Sequence, residues 1–242
     1  MRFFSSAVFF AIAFHIFNAF ALDINDENVK VAIKNNDISA VDNFIEQGLN
    51  VNSRDENGNT PLYIALIQKR LDIAKKLIDA GADVNAPSAE NGMTPLIIAT
   101  STAGKLQKKA EDIMNNAQGY TQSRVSEIKL KKYIMHQMNI AKKMLTMLID
   151  QGADVNQETP FGTPLMNAAT SPWNTDLIDI LIKSGSQVNA RDRKGRTALF
   201  YGEIFGGDKI STKLLEAGAD IDIKDNTGKT YLEVSEQEFT ED

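Results

Sequence analysis

Cysteine is absent from this 242-residue sequence and histidine nearly so. Without cysteine the chain has no structural disulfide, no Cys-ligated zinc, no thiol catalysis and no lipidated cysteine of the bacterial lipoprotein kind. Of two histidines, only His136 lies beyond the first 21 residues, so Ser-His-Asp and Cys-His catalytic sites lose most of their support. We interpret His136, next to Met135, as a surface or packing residue rather than a metal ligand. The sequence predicts no metal and no cofactor.

Positive charge is also scarce. The chain has 26 Lys and Arg against 32 Asp and Glu, a net charge of −6. Nonspecific binding to nucleic acid requires dense positive charge against the phosphates, so the balance argues against a nucleic-acid partner. The Walker-type phosphate loop is missing too, because Gly104-Lys105 lacks the earlier glycine and the following Ser or Thr.

The N-terminal segment differs from the rest of the chain. Arg2 is followed by an apolar stretch that is densest over Ala7–Phe14, and Ala19-Phe20-Ala21 has the small-x-small pattern of a cleavage site. A membrane-spanning helix needs about 20 predominantly apolar residues, and polar residues interrupt this run. We therefore predict a signal peptide over residues 1–21, with cleavage after Ala21 and a mature charge of −7. An uncleaved anchor is the alternative, and both place the body of the protein across a membrane.

Two short motifs recur along the remainder of the chain. The first, Gly-Ala-Asp-Val-Asn, occurs at Gly81–Asn85 and Gly152–Asn156 and has looser copies beginning at residues 48, 185 and 218. Successive glycines of this motif are 33, 71, 33 and 33 residues apart. The second, Gly-x-Thr-Pro-Leu, occurs at Gly58–Leu62 and Gly92–Leu96 and recurs in shorter or altered form later. A fixed period of this length indicates a repeat architecture.

The two motifs in one period resemble the ankyrin repeat family over roughly residues 24–234. The resemblance implies an all-α repeat solenoid of stacked helix-turn-helix units with short β-hairpin tips. Thr and Pro suit the start of a helix, and the glycine after the second helix suits a left-handed C-cap. We predict these domain boundaries: signal peptide 1–21; repeats 24–52, 53–86, 87–157, 158–190 and 191–223; a partial capping unit 224–234; and an acidic tail 235–242.

The sequence departs from the family in one residue type. Members usually have His after Thr-Pro-Leu, where it bonds neighbouring turns, whereas this chain has Tyr63, Ile97, Met166, Phe200 and Glu233. We expect apolar packing to replace part of that bonding.

The second departure is an insertion of about 38 residues in the third repeat. We place it at 105–139, as a long helical hairpin with its turn at residues 118–123. Each half has an apolar stripe at helical spacing, and the second stripe runs on into the second helix of the repeat. The stripes consist of Leu106, Ala110, Ile113 and Ala117, and of Leu130, Ile134, Met138, Ala141, Leu145 and Leu148. Seven basic and three acidic residues give it a charge of +4, against −11 for the rest of the mature chain. A basic arm of this kind would bind an acidic partner or anionic lipid headgroups, and its small number of aromatic residues favours a protein partner. A solvated hairpin with ordinary surface lysines is the alternative.

Acidic residues at fixed repeat positions are predicted to serve turns. Asp83, Asp154 and Asp220 share one position in the repeat, and Asp55, Asp192 and Asp225 share another, which favours a structural role over catalysis. We therefore predict that the protein is not an enzyme. Acids of the insertion, such as Glu111, would be the starting point for the contrary hypothesis.

The resemblance implies a partner-binding surface on the concave face, made by hairpin tips and first helices. We expect the main contacts to come from large tip residues and from insertion lysines. The candidate residues are Arg54, Asn59, Met93, Phe161, Arg193, Arg196, Lys105, Lys108, Lys109, Lys129, Lys131 and Lys132.

The function that these features predict is a non-enzymatic protein-binding scaffold. It would act in the periplasm, monomeric until bound, as an immunity protein or as a protector of an exported enzyme, with no membrane span after cleavage. A secreted effector that engages a host protein is the alternative.

Overall fold

Short helices that come in pairs build the part of the chain that the structure describes. The structure is a computed structural model, and it describes residues 22–101 and 120–238. The predicted signal peptide and the first half of the insertion lie outside these ranges. The helices are α1 (Glu27–Asn35), α2 (Ile38–Glu46), α3 (Pro61–Ile67), α4 (Leu71–Asp79), α5 (Pro95–Thr100), α6 (Tyr120–Asp150), α7 (Pro164–Ala169), α8 (Thr175–Lys183), α9 (Ala198–Tyr201), α10 (Asp208–Glu216) and α11 (Tyr231–Glu238).

The Thr-Pro motifs begin first helices, as predicted. The side chains of Thr60, Thr94 and Thr163 each accept a hydrogen bond from the backbone N–H three residues on, at 3.2, 3.4 and 3.3 Å. Proline takes the first helical position in each case, where its missing N–H has no helical partner to lose. After the second helices α4 and α6, Gly81 and Gly152 have φ of +92° and +83°, the left-handed conformation expected of a C-cap.

The chain divides into two compact units. Unit 1 comprises residues up to Asp83 together with Ser88–Glu90, and unit 2 comprises Val84–Pro87 together with Asn91 onward. Within unit 1, α1 packs on α3 and α2 on α4; within unit 2, α5, α7 and α9 follow one another, as do α6, α8 and α10. Within each unit, the first helices of successive repeats therefore pack on each other, and so do the second helices. This packing confirms the predicted all-α repeat architecture.

Asparagines at the end of the Gly-Ala-Asp-Val-Asn motif connect successive repeats. In unit 2, Asn156 donates from Nδ2 to the Gly185 carbonyl oxygen at 3.1 Å and accepts from the Gln187 N–H at 2.8 Å. Asn52 in unit 1 and Asn85 and Asn189 in unit 2 make the same two bonds to the next repeat. Hydrogen bonding between turns therefore persists without the family histidine.

Apolar packing occupies the histidine position itself, as expected. Tyr63, Ile97, Met166 and Phe200 are all buried there. Glu233 is the exception, since its carboxylate accepts bonds from the N–H and hydroxyl of Thr230 at 2.7 and 3.0 Å.

The tips are closed by turns rather than by strands in the described residues. Asp55 accepts at Oδ1 from the N–H groups of Asn57 and Asn59 at 3.0 and 2.8 Å. Asp192 and Asp225 do the same in their own repeats. The aspartate side chain closes each of these turns in place of hydrogen bonds between two β-strands. The one β-bridge among the described tips joins Thr159 and Gly162. The predicted turn role of these acids is confirmed.

Helix α6 is longer and begins earlier than the sequence predicts. It is a single 31-residue helix from Tyr120 to Asp150, so residues 120–123, placed in the hairpin turn, are helical instead. Its buried positions include Ile134, Ala141 and Leu145, which belong to the stripe expected from the sequence. That stripe continues without a break from the inserted segment into the second helix of the repeat, and a continuous apolar stripe favours one helix.

Two further features complete the described chain. A π-helical turn, Gly202–Gly206, follows α9 and leads into α10. Helix α11 runs to Glu238, so the start of the predicted acidic tail is helical. No helix in the described ranges is long and apolar enough to cross a membrane.

Candidate partner-binding surfaces

Unit 1 contains a cleft between its first helices and its tip. The cleft has a volume of about 390 Å³. Its walls come from α1, α3 and the tip around Asp55, and Tyr63 contributes from the start of α3. The ionisable groups lining it, apart from Tyr63, are Glu27, Lys30, Lys34, Asp55, Glu56 and Glu90. Four acidic groups against two basic ones make the cleft attractive to a basic or hydrogen-bond-donating side chain.

Two polar groups in this cleft are held away from water. The Lys30 side chain is only 11% exposed, and its Nζ lies 3.6 Å from Oε1 of Glu56 on the exposed tip. Asn59, a predicted contact residue, places a buried Oδ1 in the structure with no hydrogen-bond partner. A buried acceptor without a donor is energetically unfavourable, but the protein itself shields this atom, so a partner would reach it only after the cleft rearranges.

Arg54, also predicted as a contact, braces its own tip. Its Nη1 donates to the Gly58 carbonyl oxygen at 2.7 Å, while the residue as a whole stays exposed. The guanidinium therefore fixes the turn that presents Glu56 and Asn59.

Unit 2 presents an aromatic ring on a rigid tip. Phe161 is 47% exposed, and the Thr159 hydroxyl accepts from its N–H at 3.1 Å. Two backbone hydrogen bonds between Thr159 and Gly162, at 3.1 and 3.0 Å, close the turn beneath it. The neighbouring Pro160, rather than Phe161, lies against the Gly92 tip, so the ring is left to solvent. Met93, on that same tip, is half-buried.

The two predicted tip arginines differ in environment. Arg193 is exposed, and its carbonyl oxygen accepts from Asn226 Nδ2 at 2.8 Å. Arg196 is only 19% exposed at its side chain, and its Nε lies 3.4 Å from Oδ2 of Asp225, which is 2% exposed. Because Arg196 neutralises a buried carboxylate, its guanidinium stabilises the tip and is not free to bind a partner. We therefore retain Arg193 alone as a contact residue of this tip.

Asp225 holds the last tip together through its carboxylate. Burial disfavours the ionised form, but hydrogen bonds from the hydroxyl and N–H of Thr227, the N–H of Lys229 and the Arg196 guanidinium outweigh it. The net effect lowers the pKa of Asp225 below its ordinary value of 3.8. The hydrogen bonds of the folded tip therefore favour the ionised form of the Asp225 carboxyl group.

Protonation of Asp225 at low pH should lower the free energy of unfolding of unit 2. Because the pKa of Asp225 is lower folded than unfolded, its contribution is complete above about pH 4 and is lost as pH falls through the folded pKa. We expect the stability difference between the wild type and Asp225→Asn to be largest at neutral pH and to shrink below pH 4. Denaturant unfolding across a pH series measures it, and two parallel stability curves would contradict the assignment.

The insertion lysines divide into two groups. Lys129, Lys131 and Lys132 are exposed on α6, and so is His136, as expected of a surface residue. Lys105, Lys108 and Lys109 lie outside the described residues, as does Glu111.

Sequence reasoning missed Lys30 and Tyr63 of the cleft and the exposed apolar residues Val125 and Ile128 of α6. Nothing in the repeat motifs marks Lys30, because its burial depends on the tip of the next repeat. The two apolar residues had a detectable signal, since they share one face of the helix, opposite the stripe that the sequence indicates.

Comparison with known proteins gives one family and one fold. A family model described as ankyrin repeats (3 copies) matches residues 29–115 and 135–225. Neurogenic locus notch homolog protein 1 is 29% identical over 161 residues in Xenopus tropicalis and 28% identical over 169 residues in Homo sapiens. These matches cover 66% and 67% of this chain but only 6% of either relative's length.

A solved structure resembles nearly the whole chain. It is a complex of a predatory endopeptidase from Bdellovibrio bacteriovorus with an immunity protein. The matched chain has a TM-score of 0.64 and 23% identity, over 90% of this chain and 95% of that one. At this identity the likeness concerns the fold.

Proposed function

Because this chain belongs to the ankyrin repeat family, whose repeats are protein-binding scaffolds, we propose that it is a non-enzymatic scaffold that binds one partner protein in the periplasm. The observation that carries the proposal is Phe161, an exposed aromatic ring on a tip closed by backbone hydrogen bonds. Binding energy concentrates in aromatic and arginine side chains, and a rigid turn loses little entropy when it is covered.

The cleft of unit 1 supports the same proposal by different chemistry. Its acidic excess favours a lysine or arginine side chain of the partner. Each unit thus offers a contact of its own, one apolar and one polar.

The partner that we propose is an exported enzyme, which this chain restrains or protects as an immunity protein does. Export rests on Arg2, the apolar run and the Ala19-Phe20-Ala21 site. The fold likeness to a chain from a complex of an endopeptidase with an immunity protein supports this class of partner.

Replacing Phe161 should weaken binding of the partner protein and leave the fold intact. The double variant Phe161→Ala/Arg193→Glu should retain at least about 30-fold less partner from a periplasmic extract, since hot-spot truncations cost about 2 kcal/mol or more. Immobilised wild type and variant are compared by quantifying the retained proteins, and circular dichroism confirms that both are folded.

Phe205→Ala is the matched control. Phe205 is also an exposed phenylalanine of unit 2, at 52%, but it lies in the π-helical turn rather than on a tip. We expect this variant to retain the partner as the wild type does. Equal retention by all three proteins, or no stoichiometric partner for any, would refute the proposed function.

A further inference from the structure

Helix α6 has a buried face and a separate exposed apolar face. The buried face carries Ile134, Ala141 and Leu145 and packs toward the repeats of unit 2 through α5 and α8. The outer face carries Val125, Ile128 and Met135, which are 41%, 55% and 66% exposed.

These three outer-face residues form one stripe. They lie at relative positions 0, 3 and 10, which in an α-helix fall within about 80° of arc and span about 15 Å of its length. Ile134, Ala141 and Leu145 are centred about 135° around the helix from these three residues at 3.6 residues per turn, so the two faces are separate. A helix face turned to solvent is ordinarily polar, so three exposed apolar residues in one stripe indicate a surface for another molecule.

Two lysines, Lys129 and Lys131, flank this stripe on either side, and a third, Lys132, lies within its arc. Lys129, Lys131 and Lys132, which we call the rim lysines, are all exposed, and Glu127 is the one acidic residue among positions 125–139. None of the three makes an ion pair with another described residue.

Some lysines elsewhere on second helices are paired across repeats. Lys142, further along α6, lies 3.2 Å from Asp176, and Lys213 lies 2.7 Å from Asp179. The rim lysines have no such pair among the described residues, and their charge is available to a molecule that covers the stripe.

We propose that the outer face of α6 binds an acidic amphipathic helix of the partner protein. This inference rests on the proposed function and specifies part of the partner. Apolar residues three and four apart on that helix would cover Val125, Ile128 and Met135, and its flanking carboxylates would face the rim lysines. A helix of three to four turns matches the length of the stripe.

An anionic membrane fits these features less well. Helices that lie on membranes place Trp, Phe or Leu on their apolar face, and the outer face carries only Val, Ile and Met. Three lysines would attract an anionic surface only modestly, and the negative charge of Glu127 opposes that attraction.

Site-specific photo-cross-linking tests this inference in cells that naturally make the protein. The probe is p-benzoylphenylalanine in place of Ile128 or of Met135. The same group in place of Leu215, an exposed apolar residue of α10, is the control, and in place of Phe161 it reports the tip contact independently. Cross-linked peptides are then sequenced by mass spectrometry.

We expect positions 128 and 135 to cross-link to the same protein as position 161, in an acidic segment with apolar residues three and four apart. Position 215 should give no such product. Lys129→Glu/Lys132→Glu should lower the yield at position 128 at least tenfold, whereas Lys183→Glu/Lys209→Glu, two exposed lysines elsewhere in unit 2, should leave it unchanged.

Three results would overturn the inference. A lipid adduct at position 128 would assign the stripe to a membrane, and an unchanged yield after charge reversal would remove the electrostatic argument. A product at position 161 with none at 128 and 135 would refute this inference and leave the proposed function standing. Absence of product at all three positions would refute both.

Discussion

Replacing Phe200 with alanine is expected to lower the free energy of unfolding of unit 2 by about 3–5 kcal/mol, the usual cost of emptying a buried aromatic site. Phe200 is 1% exposed at the position where the family usually has histidine. Its ring meets that of Tyr231 edge to face, with 6.5 Å between centroids and 71° between planes. The substitution would therefore remove both the core contact within its repeat and the contact to the final helix.

Phe205→Ala is the matched control for this prediction, because it makes the same chemical change five residues away at a side chain that is 52% exposed. We expect it to change stability by no more than about 0.5 kcal/mol. Trp173, the single tryptophan, lies in unit 2 and reports its unfolding by fluorescence in a denaturant titration. Similar losses for the two variants would contradict the packing described for Phe200.

Replacing Gly206 with alanine should have the next largest effect, a loss of about 2–3 kcal/mol from overpacking. A Cβ at this position would stand in the π-helical turn, close to the Ala169 carbonyl oxygen and 2.9 Å from Ile210 Cβ. The first of these atoms is backbone at the end of α7, so relief requires α7 and the turn to move apart.

Gly202→Ala tests whether crowding, rather than glycine as such, is responsible. Gly202 opens the same turn with φ of −60°, and a Cβ there would meet side-chain atoms alone: Leu214 Cδ1 at 3.1 Å, Ile210 Cγ2 at 3.2 Å and Ser211 Oγ at 3.6 Å. A shift of a few tenths of an ångström in these side chains relieves the contacts, and alanine also gains helix propensity of up to about 1 kcal/mol. We expect a change below about 1 kcal/mol in the same titration. Equal losses at the two positions would rule out the contact with Ala169 as the cause.

Local chemistry explains why much of the fold was predictable from sequence. Thr60 caps α3 and Asp55 closes its tip through bonds to residues no more than four positions away, so a short motif specifies each. The C-cap of Gly81 likewise depends on one residue and its neighbours. Repetition of these local solutions at a 33-residue period then identifies the architecture.

Features that depend on contact between repeats were not predictable in the same way. Arg196 looked like a free tip arginine, but Asp225, 29 residues away, pairs with it. Lys30 looked like an ordinary surface lysine of the first repeat, yet the next tip buries it. The pairing of Arg196 and the burial of Lys30 both depend on where the side chain points relative to the next repeat, and the repeat motif does not specify that direction.

The insertion was predicted in position but not in form. A continuous stripe that includes Ile134 and Ala141 indicated a helix, whereas the Gly-Tyr-Thr-Gln-Ser segment from residue 119 suggested a turn. The structure extends α6 through residues 120–123, about one turn before the predicted helix start. Val125, Ile128 and Met135 lie after the predicted turn, so the sequence already indicated that they share a face, but it did not indicate that this face stays exposed in the fold.

Native mass spectrometry of the endogenous protein, purified under mild conditions from the periplasmic fraction, tests the central claim most directly. The account predicts a chain that begins at Leu22, in a 1:1 complex with one other exported protein, and dissociation of that complex by Phe161→Ala/Arg193→Glu. A mature chain found alone, or only in assemblies of itself, would contradict it.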